Sequence, residues 1–521
     1  MSPIVQLGVK AVQQNDLAAA LAWFRQAHAQ SQDDPVARAW LGQTLFSTGQ
    51  QRQGIEHLVA AAGRFIHNAQ AAQAAAPGLK NYSHAHEVIH QLQAAGAYEQ
   101  ALPLAREVTR LDPASARGQQ LLAVTCGQLN LTPEALRAVQ AAERLAPKDL
   151  MLQVLHASLE ADHKQYDAAC DRLEALLQKG IGPRAVGVRE AFRAFKELAR
   201  CLDALGEHGV VFAQLEAAAS LAPTLPEYQR LDKQLVPNNL AQARAGFSRD
   251  SMARFAGQAF PEQPRAPVFL MGFFRSGTTL TQEVLAAHPK VFVADEANLL
   301  RAAELELQRL DPGPDPLPAK LARLSHAGAT RLRAAYWAAV QGRYGADADA
   351  AVFVDKFTLN TVDLGLINTI FPDAQALFVM RDPRDVCLSC VMQLMSPSAA
   401  TLHLLTLADT AALYAQVLDW WVHIQGQLSL AWLEFRYEDA VSDFEGTFKR
   451  VFAFLGLDWH AEVQNFHLRA AGRYVASPSR NQVAQPLYSS SVQRWRLYER
   501  ELAPVQAVLA PFVARFGYDP A

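Results

Sequence analysis

The strongest constraint on this chain is an internal period of 34 residues in its N-terminal half. Leu7-Gly8 recurs as Leu41-Gly42, and Ala20, Phe24 and Ala27 recur as Gly54, Leu58 and Ala61. Further along, Ala101 maps onto Ala135 and Ala169 at the same offset, and Pro113 maps onto Pro147. A period of this length is one supersecondary unit that cannot bury its apolar face alone, so neighbouring units must stack. Small residues at fixed positions let two antiparallel helices approach, and large ones fill the gap between them. The proline opens the next unit after a helix has ended. A helical solenoid is the expected product. The stretch from Phe65 to Ser83 departs from the period and Gly180 to Gly209 keeps only part of it. Some repeats are therefore degenerate, about five or six helical pairs are expected, and Pro223 is placed to close the last unit.

This spacing is the tetratricopeptide period, and the region resembles that repeat family. At 521 residues the chain is too long for one ordinary core, so a second domain is expected. We place the repeat domain at 1–235, a linker at 236–265 and a separate domain at 266–521. Half the residues are apolar and 19% are charged, the balance of a globular chain and not of a disordered one. A formal net charge of -3 supplies no basic field for nucleic acid or an anionic membrane. Five cysteines are too few, and odd in number, for a disulfide framework, which points to a reducing compartment. The N-terminus MSPIVQLGVKAVQQNDLAAA lacks the pattern of a signal peptide, and no uncharged apolar run of about 18 residues follows. A cytoplasmic location is expected, with no membrane span.

From Pro267 the pattern changes. PVFLMG, AVFVDK, QALFVMRD and LAWLEFRY read as short buried strands, and amphipathic segments such as TLTQEVLAAH, FEGTFKRVFAFLGL and ELAPVQAVLAPFVARFG lie between or after them. Strands alternating with helices predict a parallel α/β sheet covered on its faces. The first strand runs into Gly272-Phe-Phe-Arg275-Ser276-Gly277-Thr278-Thr279 and then an apolar helix. That order aims backbone N–H groups and a helix N-terminus at one spot, a ready phosphate site. The glycine spacing matches a nucleotide P-loop, but Thr278 stands where the lysine of that loop belongs, which disfavours ATP hydrolysis. Arg275 adds a cation, and Thr278 and Thr279 add hydroxyl donors.

This loop resembles the 5'-phosphosulfate-binding loop of sulfotransferases, and its RSGTTL core is most similar to that of the tyrosylprotein sulfotransferases and their tetratricopeptide-containing bacterial relatives. The resemblance covers about half the chain, from Pro267 onward. It implies an α/β, P-loop-like sulfotransferase domain that uses 3'-phosphoadenosine 5'-phosphosulfate (PAPS) as sulfuryl donor and needs no metal. Arg381 leaves a strand and Ser389 follows eight residues later, the family pair that grips the 3'-phosphate. Ser479 lies fifteen positions before Arg494, itself followed by Trp495, as in the C-terminal cofactor segment of the family. Arg494 is thereby a candidate second clamp on the phosphates, and Tyr437 occupies the position of a cofactor-contacting tyrosine. Arg275, Ser276, Gly277, Thr278 and Thr279 form the 5' loop.

The same resemblance assigns the chemistry. Glu296, in VADEANLL, corresponds to the general base, with Asp295 beside it as the alternative. Lys356, in VDKFTLN, corresponds to the lysine at the oxygen bridging sulfate and phosphate, with Arg275 and Ser479 neutralising the same charge. His288 precedes Pro289 at a helix end, where a turn role outweighs that of a base. Cys387 and Cys390 form a lone CxxC without a second ligand pair and are expected to pack inside a helix. Asn298 stands where animal tyrosylprotein members carry an arginine that reads acidic peptides, so carbohydrate, lipid and small-molecule hydroxyls remain candidate acceptors beside protein tyrosine. The repeats would serve as a dock for a protein or peptide acceptor. The alternative from another class is a repeat scaffold whose C-terminal domain binds a nucleotide without turning it over.

Overall fold

The computed structural model describes the chain apart from residues 76–80, 183–184, 261–264, 471–472, 478, 488 and 521. It resolves into two compact units. One comprises Met1–Ala169, Ala339–Ala346 and Ala471–Ala476, and the other Cys170–Ala338, Asp347–Ala470 and Ser477–Ala521.

The first unit is helical hairpins: Pro3–Gln13 with Leu17–Gln30, Pro35–Ser47 with Gln51–Ala75, Ser83–Ala94 with Tyr98–Leu111, and Ala116–Gln128 with Thr132–Leu145. Leu150–Asp162 and Tyr166–Leu177 follow along the chain. The turn inside each hairpin reverses through one residue at positive φ: Asn15, Gly49, Gly96, Asn130 and Lys164, which repeat the 34-residue spacing within each run. The small residues act as the period requires. A Cβ on Gly42 would lie 2.8 Å from the Gly54 carbonyl oxygen, and one on Gly54 would lie 2.7 Å from that of Gly42, so these two helices touch backbone to backbone. Ala20, Ala101 and Ala135 are fully buried in equivalent seams. Pro113 and Pro147 each stand two residues before an N-cap: Ser115 accepts from the Gly118 amide at 3.1 Å, and Asp149 from the Met151 amide at 3.0 Å.

The second unit, which starts at Cys170, includes another helical hairpin, Val188–Ala204 and His208–Leu221. The span 236–265, expected as a linker, is helical over most of its first half, in Leu235–Gly246 and Arg249–Met252. It is packed there too: Asn368 Nδ2 donates to the Met252 carbonyl at 2.7 Å, and the Phe247 ring lies against Gly365.

Behind it lies a five-stranded parallel sheet: β1 Val268–Gly272, β2 Val291–Asp295, β3 Val352–Lys356, β4 Gln375–Met380 and β5 Ala431–Arg436, in the order β2-β3-β1-β4-β5. Four of these strands were expected, while β2 is an addition. Its VFVAD run is β-branched and aromatic, but it is only five residues long and follows a helix closely. Every residue of β1 is buried, as a central parallel strand requires. Val268 and Leu270 face the helices Thr278–Ala286 and Phe444–Phe454 through Val284, Phe448 and Val451. On the opposite face Phe269 meets Tyr336 and Phe371, and Phe378 stacks on Trp421 at 4.1 Å. The C-terminal amphipathic segment is broken into Glu499–Leu502 and Gln506–Arg515. Pro504 lies in the break, where it withholds an N–H from the helical ladder.

This strand order fixes where a ligand can sit. The chain leaves β1 toward β2 on one side of the sheet and leaves β4 toward β5 on the other, so the loops after β1 and β4 part over a crevice at the carboxyl ends of those two adjacent strands.

Candidate active site

Each of the five strands delivers a candidate residue at its carboxyl end. Arg275 follows β1, Glu296 follows β2, Lys356 ends β3, Arg381 follows β4 and Tyr437 follows β5. The register sets two of them side by side, because Asp295 pairs with Lys356 across β2 and β3, and the Glu296 amide then donates to the Lys356 carbonyl at 2.9 Å.

The loop after β1 turns through Arg275 at φ +64° and Gly277 at φ +107°, then enters the helix Thr278–Ala286. Only glycine suits position 277. Besides its φ, a Cβ there would come within 2.6 Å of the Tyr437 ring. Arg275 is the hub of the crevice. Its Nε donates to Ser389 Oγ at 3.0 Å, its Nη1 to Ser479 Oγ at 2.5 Å and its Nη2 to Gln482 Oε1 at 3.1 Å. Three sequence patches, the second and third of them 114 and 204 residues beyond the first, are thus tied by one guanidinium. Ser389 and Ser479 accept these bonds, so each hydroxyl keeps its own O–H to donate elsewhere.

Arg381 crosses behind the loop. Its Nη1 donates to the Arg275 carbonyl at 3.1 Å, its Nη2 donates to the Ser491 carbonyl at 2.6 Å, and its guanidinium lies 5.1 Å from the centre of the Tyr437 ring. Its Nε, like Ser276 Oγ, is buried without a partner among the described residues. Both groups are donors beside the crevice. A buried donor left unmet costs free energy, which an anionic ligand's oxygens would recover. Thr278 and Thr279 are engaged, with Thr358 Oγ1 at 3.2 Å and Ser477 Oγ at 2.8 Å respectively.

Across the crevice Lys356 is fully buried and its Nζ pairs with Glu296 Oε1, with Asp295 Oδ1 at 3.5 Å. Burial pulls the ammonium's pKa down, but the two carboxylates outweigh it and the net direction is up. Thr358 Oγ1 also donates to Glu296 Oε1, at 3.1 Å. Both contacts fall on the same oxygen, Oε1, of a side chain that is 27% exposed. Glu296 itself sits at φ +47°, a strained backbone for a residue with a Cβ.

The C-terminal segment is held by a residue that sequence reasoning passed over. Asp385 accepts the backbone amides of Gln493 and Trp495, both at 2.8 Å. Burial pushes its carboxyl up to about 6, against the opposing pull of the Arg381 charge. Trp495 in turn lies under the Arg384 guanidinium at 3.7 Å. Arg494, expected at the phosphates, pairs with Asp203 of the helix Val188–Ala204. Gln482, Ser477, Thr358 and Asp203 were likewise missed. Thr358 alone carried a signal, two residues beyond the lysine.

The other candidates fall where their chemistry is ordinary. His288 Nε2 lies 3.1 Å from the Asp458 carbonyl oxygen and its Nδ1 accepts the Lys290 amide at 3.2 Å, a turn role. Cys387 and Cys390 are buried in the helix Pro383–Met392, and burial pushes the Cys390 thiol up to about 12. Asn298 Oδ1 accepts the Arg301 amide at 3.2 Å, at the head of the helix Leu300–Leu310. Among the described residues no group of three or more His, Cys, Asp or Glu side chains is placed to hold a metal ion, and no helix is long and apolar enough to cross a membrane.

The chain is 25% identical over 360 residues to an uncharacterized protein of Aquifex aeolicus (strain VF5), a match covering 67% of this chain and 44% of that protein. It is 24% identical over 265 residues to protein-tyrosine sulfotransferase 1 of Danio rerio, covering 49% of this chain and 72% of the relative. Among solved structures, the sulfotransferase domain of the Synechococcus PCC 7002 olefin synthase aligns with 50% of this chain and 98% of its own, at 19% identity and a TM-score of 0.37. Residues 267–461 match the model of the sulfotransferase family. The C-terminal region of this chain is a sulfotransferase-family domain, and an all-helical repeat region precedes it.

Proposed function

We propose that the C-terminal domain transfers a sulfuryl group from PAPS to an acceptor hydroxyl. The donor supplies sulfur already activated by its bond to a phosphate oxygen. Arg381 and Ser389 would hold its 3'-phosphate, with Arg494 as second clamp. The loop Arg275–Ser276–Gly277–Thr278–Thr279 would hold the 5' end, and Tyr437 would line the site. The fit rests on two buried donors that lack partners among the described residues, Ser276 Oγ and Arg381 Nε, and on two serine hydroxyls whose protons are uncommitted to Arg275.

Sulfuryl transfer asks the protein for alignment, a base and positive charge at the departing oxygen. Glu296 takes the acceptor proton through Oε2. Lys356 supplies the point charge for the leaving phosphate, and Arg275 and Ser479 share that load. The observation that carries this reading is the Arg275 guanidinium joined to Ser389 and Ser479 opposite the Glu296–Lys356 pair.

Protein tyrosine is one acceptor class. The relative named protein-tyrosine sulfotransferase and the helical repeats, which could dock a protein or peptide, support it. Asn298 argues against a reader of acidic peptides at that position. A cytoplasmic site of action accords with five unbridged, buried cysteines.

The test is transfer of labelled sulfate from PAPS to a library of peptide, sugar, lipid and phenolic hydroxyls, with Glu296→Ala beside the wild type. Transfer by the wild type and its loss in the variant are expected. Undiminished turnover in Glu296→Ala would remove that residue as the base, and nucleotide binding without transfer to any acceptor would favour a non-catalytic scaffold.

A further inference from the structure

The helix Val188–Ala204 lies outside the strands and loops that build the crevice, and nothing in its sequence singled it out. It nevertheless presents two charged residues seven positions apart, and so on one face, to the two segments that wall the donor site. Lys196 is 3% exposed and its Nζ donates to the Val391 carbonyl at 2.5 Å. That carbonyl belongs to the last turn of the helix Pro383–Met392, where a cation is favourably placed. The same helix carries Ser389, which accepts from Arg275, and Asp385, which accepts the amides on either side of Arg494.

Two turns on, Asp203 meets the other wall. Its Oδ2 pairs with Arg494 Nη2, and its Oδ1 accepts the Tyr498 hydroxyl at 2.6 Å. Tyr498 is fully buried, and its hydroxyl also lies 3.1 Å from His208 Nδ1, at the start of the following helix. The carboxylate is therefore held in place by a hydroxyl that cannot swing, and only 10% of its side chain is exposed. Arg494 is one-third exposed and offers Asp203 a single Nη. A guanidinium has five N–H donors in a fixed plane, so anchoring one edge on a carboxylate orients the others toward a second anion.

We propose that Asp203 is a positioning residue for donor binding: it sets the Arg494 fork at the phosphates, so that a helix upstream of the catalytic sheet is part of the donor site. This rests on the reading of Arg494 as a phosphate clamp. Asp203 touches no substrate and acts only through Arg494.

The experiment uses the full chain and the nucleotide 3'-phosphoadenosine 5'-phosphate as probe, with calorimetric Kd and donor KM against kcat as readouts. Asp203→Asn keeps the shape and an acceptor for Tyr498 while losing the charge on Arg494. It is expected to weaken the nucleotide about tenfold and to raise the donor KM with kcat little changed. Asp203→Glu, which restores the charge, is expected to recover part of that loss. On an Arg494→Gln background Asp203→Asn should have no further effect, as two members of one pathway require. Wild-type or tighter binding by Asp203→Asn overturns the proposal, since tighter binding would mean that Asp203 withholds Arg494. An equal penalty on the Arg494→Gln background overturns it as well. Failure of the wild type to bind the nucleotide would instead overturn the donor assignment and this inference with it.

Discussion

Lys356→Met tests the reaction chemistry most directly, because the lysine is fully buried and its surroundings are asymmetric. Methionine keeps most of the stem volume and removes the charge, leaving the Asp295 and Glu296 carboxylates facing one another. At 3.5 Å and an effective dielectric near 20, a single pair such as Lys356–Asp295 is worth about 5 kcal/mol before the desolvation of the buried ammonium is counted. Desolvation offsets much of that. The carboxylates, 22% and 27% exposed, can rehydrate when the partner is gone. A net loss of roughly 2–3 kcal/mol in stability follows, or a melting temperature lower by about 5–10 °C. The rate should fall much further. Removing a preorganised charge from a developing anion costs about 100- to 1000-fold in kcat, the amount to look for in transfer of labelled sulfate from PAPS at saturating acceptor. Two explanations of such a drop can be separated. If Lys356 only steadies Glu296, Lys356→Met will cost nothing further on a Glu296→Gln background. If it stabilises the leaving oxygen, it will slow that background too. A folded Lys356→Met enzyme whose kcat lies within tenfold of wild type would refute the assignment.

Two further outcomes follow from single positions. Gly277→Ala forces a side chain into φ +107° and toward the Tyr437 ring, a backbone cost of about 1–2 kcal/mol before the clash is relieved. The loop is expected to shift, the affinity for 3'-phosphoadenosine 5'-phosphate to fall at least about tenfold and the melting temperature to drop by about 2–6 °C, as equilibrium dialysis and a thermal melt will show; unaltered affinity would separate this loop from the donor. Asp355 is buried against Tyr336, whose hydroxyl donates to it at 2.8 Å, and burial pushes its carboxyl from 3.8 up to about 7 despite that bond and one from Asn360. Between those values the folded state holds a proton that the unfolded chain has released, so wild-type stability falls as the pH rises from about 4 to 7. Asp355→Asn should remove a few kcal/mol of that slope. Urea unfolding of both proteins at several pH values across the window checks it, and parallel curves would contradict the buried-carboxyl account.

Much of the fold was legible because the features that write it are local and repeated. The Gly42–Gly54 approach, the prolines ahead of the N-caps and the buried alanines all stand at the 34-residue offset. β1, β3 and β4 were legible because central parallel strands are continuous apolar runs, and the edge strand β5 because it carries aromatic residues. β2 was harder, since three of its five residues are only partly covered and it follows closely on the end of a helix. The break at Pro504 interrupts the C-terminal amphipathic pattern. The packing of 236–255 onto the sheet-covering helices could not be read at all, because contacts such as Asn368 to Met252 join segments over a hundred positions apart.

The candidate site divides along the same line. Arg275, Ser389, Ser479, Glu296 and Lys356 lie in runs whose spacing carries information, and the sheet order explains why they converge. With β1 and β4 adjacent and their loops leaving in opposite directions, only this seam lets Arg381 reach the Arg275 carbonyl while Arg275 reaches across to Ser389. A permuted order would have kept every motif and scattered the crevice. Gln482, Asp385 and Asp203 have no such spacing, since each works by meeting a partner that the tertiary fold delivers. Arg494 shows the consequence. Its position in the sequence marks it as a candidate phosphate ligand, and in the fold its guanidinium meets a carboxylate nearly three hundred residues earlier. Spacing identifies which side chains can bind an anion, and the buried partners of those side chains determine whether they are aimed at it.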